Sequence, residues 1–312
     1  MRLRQTGQFS LAIPEPFNFR LTVAKPAGWH WSTPGEVFKN STLWSGVYLE
    51  GKPLGLKMSS AKGLVNTVVY SEANLSRNDT AKLKTLLNYG LGADEDLAGF
   101  YEFARNDPVL SVTVKDLYGM RVGRLDDLFG RVILAILLQM APFARSRQMM
   151  TALLEGWGTR INFDGKEVIL WPRPQHIAHA SENELRGKAS LGYRATRLIQ
   201  AAQFLSKNSI SLLELSGLPE EEALKRLTVI PGIGRYSAGI IFGRTSVPID
   251  VWSVIIMSEI VLGRTPQNPR QDVDAVTSAL QKRWGEWGWM AFVYILNDLK
   301  NLSKIFHLSR LH

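Results

Sequence analysis

Residues Leu218 to Ser258 read LPEEEALKRLTVIPGIGRYSAGIIFGRTSVPIDVWSVIIMS. From Pro219 to Leu227 the run is acidic at its front and basic at its back, the order a helix dipole favours, so a helix is expected here. Pro231, Gly232 and Gly234 interrupt it, because proline cannot donate to the preceding turn and glycine tolerates the positive φ of a tight reversal. Small residues Ser237, Ala238 and Gly239 then open a second helix where two backbones must pack closely, and Ile240, Ile241 and Phe242 supply its core face. A proline-containing turn, VPID, delivers one carboxylate, Asp250, to the start of a third helix.

Such a hairpin leaves amide N–H groups around Gly232 to Gly234, and those at the N-terminus of the second helix, pointing outward. A nest of this kind attracts anions, phosphate in particular. PGIG alone is explained by any helix-turn-helix in an α domain. PGIG with VPIDVW behind it, Gly234 lying 16 residues before Asp250, is a more specific pattern.

The 312 residues suffice for two or three compact domains with a sizeable core. A formal charge of +9 favours polyanionic partners or acidic surfaces, although charge alone does not choose among them. The absence of cysteine excludes disulfides, thiolate nucleophiles, Cys-ligated zinc and iron–sulfur clusters. His30, His176, His179, His307 and His312 fall in no metal-binding spacing. The opening MRLRQTGQFSLAIPEPF has no apolar signal region, and the longest uncharged run, Val132 to Ala144, is too short to span a bilayer, so an intracellular, soluble protein is expected.

Residues 9 to about 75 carry β-branched or aromatic runs between turn residues: FSLAI, FRLTVA, WHWST, LWSGVYLE, LGLKMS and GLVNTVVYS. They predict an antiparallel sheet with a hairpin at Glu50-Gly51-Lys52-Pro53. Trp29, Trp31 and Trp44 lie among them, where packing from sheet to core is the commoner role and stacking on a base the alternative. From Asp79 the periodicity turns helical. Helices are expected over Thr80 to Gly90, Asp94 to Arg105, Leu128 to Met140, Ala144 to Gly156, Glu182 to Ser190, Tyr193 to Ser206, the hairpin pair, Trp252 to Val261, Asp272 to Trp284 and Met290 to Leu308. A short ribbon is expected at Lys166 to Leu170. No internal repeat, low-complexity tract or flexible linker is visible.

Taken in order, WHWST, LWSGVYLEGKPLGLKM, DPVL, LYGMRVGRLDDLFGRVILAILLQ, LGYRATRLIQAA, IPGIGRYSAG, VPIDVW and GWMAFVYILNDL resemble the helix-hairpin-helix, Gly/Pro-Asp superfamily of DNA glycosylases. The branch is the one that looks like 3-methyladenine DNA glycosylase II and 8-oxoguanine DNA glycosylase, and the resemblance covers nearly the whole chain. LGYRA or PGIG alone is weak; their order and spacing are specific. The resemblance implies an α+β fold: an antiparallel sheet domain (1–100), one helical subdomain from 101–127 with 250–312, and a second from 128–249 carrying the hairpin, the active site lying in the cleft between the helical parts.

By that resemblance Asp250 is the catalytic aspartate. Glycosidic cleavage builds positive charge on the sugar, and a carboxylate beneath it stabilises that charge and helps orient water. Asp250 is also suited to cap the helix that follows, and the two roles are compatible. Bifunctional members carry a lysine where this chain has Tyr236, and a phenol cannot form their Schiff base. Arg235 beside it stays protonated, and Lys225, Lys300 and Lys304 have no motif-based reason to reach the cleft. A monofunctional glycosylase without lyase activity is therefore expected, acting on alkylated purines. Two alternatives stand beside it: a deaminated-base or mismatch glycosylase, and a non-catalytic DNA-binding module.

The resemblance assigns DNA contact to Pro231, Gly232, Ile233, Gly234, Arg235, Gln139, Met140 and Tyr193. Met140 corresponds to the side chain that fills the gap left by a flipped nucleotide, and Tyr193 to the aromatic beside the estranged base. Carbonyls of Thr228, Ile230 and Ile233 match a monovalent-cation site; no other cofactor is required. Tyr236, Trp252, Trp289, Phe292, Ile295 and Asp298 are the candidate base pocket, the last four spaced i, i+3, i+6 and i+9. Ala291 falls where the 8-oxoguanine relatives have a glutamine, which disfavours that substrate. The expected partner is double-stranded DNA containing a damaged base, bound by a monomer without membrane association. The expected location is cytoplasmic or nucleoid-associated in a prokaryote, nuclear in a eukaryote.

Overall fold

The computed structural model describes residues 1–28, 31–125, 127–244 and 247–309. Trp29, His30 and His312 thus lie outside the described residues. A five-stranded antiparallel sheet opens the fold, with β1 (Arg4–Ala12), β2 (Val37–Lys39), β3 (Thr42–Leu49), β4 (Lys52–Ala61) and β5 (Leu64–Ser71) in the order β1-β5-β4-β3-β2. Glu50 and Gly51, both at positive φ, make the two-residue turn between β3 and β4. One face of the sheet packs Leu43, Leu56, Met58, Val65 and Val69 against Leu83, Leu87 and Leu91. Leu83 and Leu87 belong to the helix Arg77–Gly90, whose start is fixed by a reciprocal cap between Ser76 and Asp79.

The other face carries a ribbon, β6 (Thr159–Phe163) paired with β7 (Lys166–Leu170). Gly46 and Gly55 are cross-strand partners that make room for it: a Cβ on Gly55 would sit 2.6 Å from the Phe163 ring, and one on Gly46 2.9 Å from Ile161. The ribbon falls by sequence inside the expected 128–249 subdomain, yet Ile161, Phe163, Val168 and Leu170 join Leu3 and Tyr70 in a core of the sheet side.

FRLTVA departs from its expected strand. Asn18 Oδ1 accepts from Leu21 N at 3.0 Å and Thr22 Oγ1 donates to Asn18 O at 2.8 Å, so Phe19–Val23 winds into a short helix. Trp31 is fully buried, its Nε1 donating to Gly90 O at 2.8 Å. Trp44 donates to Asp164 Oδ2 at 2.7 Å with Lys57 and Lys166 over its ring. Both tryptophans hold the sheet together rather than face a ligand. Glu36 accepts from Trp31 N and Ser45 Oγ, and burial pushes its carboxyl up to about 7.

Two helical cores complete the molecule. One runs from Leu128 to Phe242, centred on the inner helix Leu128–Leu138, which is buried along its whole length and carries one charged residue, Arg131, donating to Ile241 O at 3.1 Å. The other joins residues from Leu97 to Val122 with those from Val247 to Leu308. The boundary expected at residue 100 falls inside the helix Leu97–Ala104, whose Leu97 and Phe100 belong to the second core. The helix expected over Met290 to Leu308 is broken into Gly288–Asn297 and Leu299–Leu302, with Asp298 at the break. Among the described residues no helix is long and apolar enough to cross a membrane.

Candidate active site

The hairpin helices are Glu220–Thr228 and Arg235–Phe242, the first with three acids in its first turn and Lys225 and Arg226 in its last. Gly232 takes φ +81°, and Ile230 and Ile233 are buried on either side of it, which pins the reversal to the core. The amide of Ile233 is not free as the sequence suggested: it donates to Ile230 O at 3.1 Å. The outward donors are those of the helix start, where Gly234 is the N-cap and the first-turn amides lack intrahelical partners. Arg235 turns back onto Glu221 in an exposed ion pair. Of the carbonyls matched to a cation site, Thr228 O stands at the end of the first hairpin helix and Ile230 O accepts from Ile233 N. Among the described residues no group of His, Asp or Glu could hold a metal.

At the end of the inner helix Gln139 and Met140 behave differently from each other. Gln139 Nε2 donates to Gly232 O and to Ser237 Oγ, both at 3.0 Å, while its Oε1 accepts from Arg197 Nη1 at 2.6 Å. Its side chain thus fastens the hairpin to the inner helix. Met140 is 67% exposed at φ +50°, a left-handed conformation that a side chain adopts only when its surroundings impose it. Tyr193, 43% exposed, lies near it, donating to Gln139 O at 3.3 Å. The guanidinium groups of Arg194 and Arg197 lie 4.6 and 4.9 Å from the Tyr193 ring centre. Burial first, then the charges of Arg145 and Arg197, hold Arg194 below the usual guanidinium range. Arg145, Arg194 and Arg197 were missed in the sequence; the run LGYRATR carries two of them, but nothing there says that they gather around one ring.

Asp250 lines a cavity of about 500 Å³ where the two helical cores meet the N-terminal segment around Leu21 and Ala27. Its Oδ1 accepts from Trp252 N at 3.1 Å, from Ser253 N at 2.7 Å and from Ser253 Oγ at 2.7 Å, and Ser253 Oγ in turn accepts from Asp250 N at 2.9 Å. These bonds to the turn that leads into the helix Ser253–Met257 all fall on Oδ1 and leave Oδ2 outside them. The Tyr236 phenol lies against the same carboxylate; burial, then the charge of Asp250, hold it protonated well above the usual phenol range.

Four of the six expected pocket residues line this cavity: Tyr236, Trp252, Phe292 and Asp298. Trp289 and Ile295 do not. Trp289 packs over Gly243, whose added Cβ would meet its ring at 3.0 Å, and Ile295 is fully buried in the second core. The i, i+3, i+6, i+9 spacing misled because each helical residue advances about 100°, so nine residues end half a turn out of phase. The helix face toward the cavity is Phe292 and Leu296, spaced i, i+4, and Ala291 is buried in the core instead. Lys300, which no motif pointed to, also lines the cavity, exposed at its rim.

No family model matches the chain. It is 26% identical over 207 residues to the DNA-3-methyladenine glycosylase of Bacillus subtilis (strain 168), across 65% of this chain and 67% of that protein. It is also 26% identical over 179 residues to DNA-3-methyladenine glycosylase 2 of Escherichia coli (strain K12), across 57% of this chain and 60% of that protein. The fold superposes on the 3-methyladenine DNA-glycosylase from Archaeoglobus fulgidus with a TM-score of 0.76 at 19% identity, covering 95% of this chain and 99% of that one. It superposes likewise on the Clostridium acetobutylicum 8-oxoguanine glycosylase/lyase in complex with double-stranded DNA, with a TM-score of 0.72 at 15% identity, covering 96% and 98%.

Proposed function

Because this chain belongs to the helix-hairpin-helix DNA glycosylase superfamily, and is accordingly a DNA-binding glycosylase of base excision repair, we propose that it is monofunctional and hydrolyses the N-glycosidic bond of an alkylated purine flipped out of duplex DNA. The observation that carries this reading is the position of Asp250 on a base-sized cavity beside Tyr236, Trp252 and Phe292. As the glycosidic bond breaks, its electron pair leaves with the base and the sugar becomes positive. Asp250 stabilises that charge, and water adds to the anomeric carbon and gives up a proton. A purine alkylated on a ring nitrogen is cationic and departs neutral, so it needs no protonation by the enzyme. Aromatic walls favour the same charge.

The monofunctional reading rests on Tyr236, a protonated phenol against Asp250 where a lyase needs a partly neutral amine. Among the described residues lining the cavity the one amine is that of Lys300, out at the rim. With Ala291 in the core, the helix Gly288–Asn297 offers no amide from that position for 8-oxoguanine. The exposed, strained Met140 and the Tyr193 ring fit a wedge that holds the duplex open. On this reading the partner is damaged double-stranded DNA inside the cell, bound by a monomer that requires no cofactor, with a monovalent cation at the hairpin carbonyls.

The test is a panel of duplexes bearing 7-methylguanine, 3-methyladenine, hypoxanthine, uracil or 8-oxoguanine, each incubated with the protein and then treated with alkali. Alkali-dependent breaks at the alkylated purines are expected. Breaks confined to hypoxanthine or uracil would transfer the assignment to deaminated bases. Release from no duplex would leave a DNA-binding module.

A further inference from the structure

Asp298 stands where the helix Gly288–Asn297 gives way to Leu299–Leu302, a position at which an aspartate ordinarily caps the second helix with its side chain. This one makes no such bond. Its backbone carbonyl accepts from Asn301 N and Leu302 N at 2.9 Å, and its Oδ1 accepts from Asn301 Nδ2 at 2.8 Å. The second oxygen, Oδ2, is buried without a donor, on a residue only 1% exposed that lines the cavity with Asp250. The group facing Asp298 is a second carboxyl, Asp116, which lies close enough to share a proton with it when one of the two is protonated, offers no donor when both are ionised, and lines the cavity too. The cations around it are Lys304 on the following segment and Lys300 at the rim, and Asp250 lies elsewhere on the same wall. A buried acceptor left empty is costly, and the cost disappears when a ligand supplies the donor.

We propose that Asp298 is the specificity-determining residue of this pocket, its Oδ2 accepting a hydrogen bond from the exocyclic amine of a cationic purine, with the Asp116 carboxylate behind it adding to the preference for positive charge. The inference rests on the glycosylase reading for its substrate, and it gives the selection among bases to two carboxylates rather than to aromatic stacking alone. Burial first, and Asp116 after it, push Asp298 up to about 6, while the Asn301 bond and Lys304 oppose the rise. The acid is therefore neutral below that pH and anionic above it, so preference for a cation is present at neutral pH and lost on acidification.

The experiment compares kcat/KM on duplexes carrying 7-methylguanine, cationic with an exocyclic amine, and hypoxanthine, neutral without one. Asp298→Asn keeps the shape and the Asn301 contact, and is expected to slow 7-methylguanine excision roughly ten- to a hundredfold more than it slows hypoxanthine excision. The wild-type ratio should fall as pH drops through about 6 and be flat in Asp298→Asn. Asp116→Asn, at an exposed position, should move that inflection to lower pH. Equal losses on both substrates, or a ratio unchanged by Asp298→Asn, would overturn the proposal. Calorimetric binding of 7-methylguanosine against guanosine separates the two readings. A preference for 7-methylguanosine that needs Asp298, in a protein that excises nothing, keeps the pocket assignment and removes the enzymatic one; normal excision with no such preference does the reverse.

Discussion

Replacing Asp250 with Asn removes one charge and almost nothing else. The bonds that Oδ1 accepts from Trp252 N, Ser253 N and Ser253 Oγ can all be accepted by the Asn carbonyl oxygen, and Asn caps helices as well as Asp does, so the melting temperature should be nearly unchanged. The charge is lost where the sugar becomes positive. Two unit charges about 4 Å apart at an effective dielectric near 20 attract by about 4 kcal/mol, and each 1.4 kcal/mol of barrier is about tenfold in rate. Excision should therefore fall by about a thousandfold. Affinity for damaged duplex should stay within about tenfold, because ground-state binding is mostly phosphate contact. Single-turnover excision of a 7-methylguanine duplex, beside fluorescence anisotropy and a thermal melt, measures all three quantities. An Asp250→Asn variant that melts normally and excises within tenfold of wild type would refute the reasoning.

Gly234 has no atom within 4 Å of an added Cβ, so Gly234→Asp should cap the hairpin helix without a clash while repelling phosphate. The expected result is an unimpaired melting temperature with weaker binding to damaged and undamaged duplex alike, and a slope of log K against log salt reduced by about 1; retained affinity would mean that the hairpin does not grip the backbone. Borohydride should trap no covalent complex on the wild-type protein, and Tyr236→Lys should gain weak trapping. If wild type does trap, its disappearance in Lys300→Ala would identify the rim amine as the nucleophile and end the monofunctional reading. Glu36, at about 7 in the fold against 4.5 ordinarily, binds its proton more tightly when folded. Its contribution to stability is thus full below about 4.5 and lost as pH rises through about 7. Relative to wild type, Glu36→Gln should gain stability across that window in urea titrations, and a difference independent of pH would contradict the assignment.

The parts of this site legible in the sequence are those whose chemistry is local. Pro231, Gly232 and the spacing to Asp250 announce the hairpin and the acid because turn geometry and capping are written within a few residues. What escaped depends on contacts across the chain. The resemblance assigns Gln139 to DNA contact, and only the packing of the inner helix on the hairpin, 93 residues away at Gly232, shows its amide fastening the two together. Thr22 and Val23 favour a strand, yet the Asn18 cap overrides them, and that asparagine was the available signal. A stride of three residues is shorter than the 3.6-residue turn, so the C-terminal stripe credits Trp289 and Ile295 to the cavity and omits Leu296, while Lys300, which has no motif to place it there, lines the cavity too.

The Gln139 fork gives the molecule a mechanical property. Its amide nitrogen is clamped to Gly232 O and Ser237 Oγ on the hairpin, and the very next residue is the protruding Met140. On the proposed reading, the loop that would sit on a phosphate and the tip that would enter the base stack are thereby tied together through one side chain.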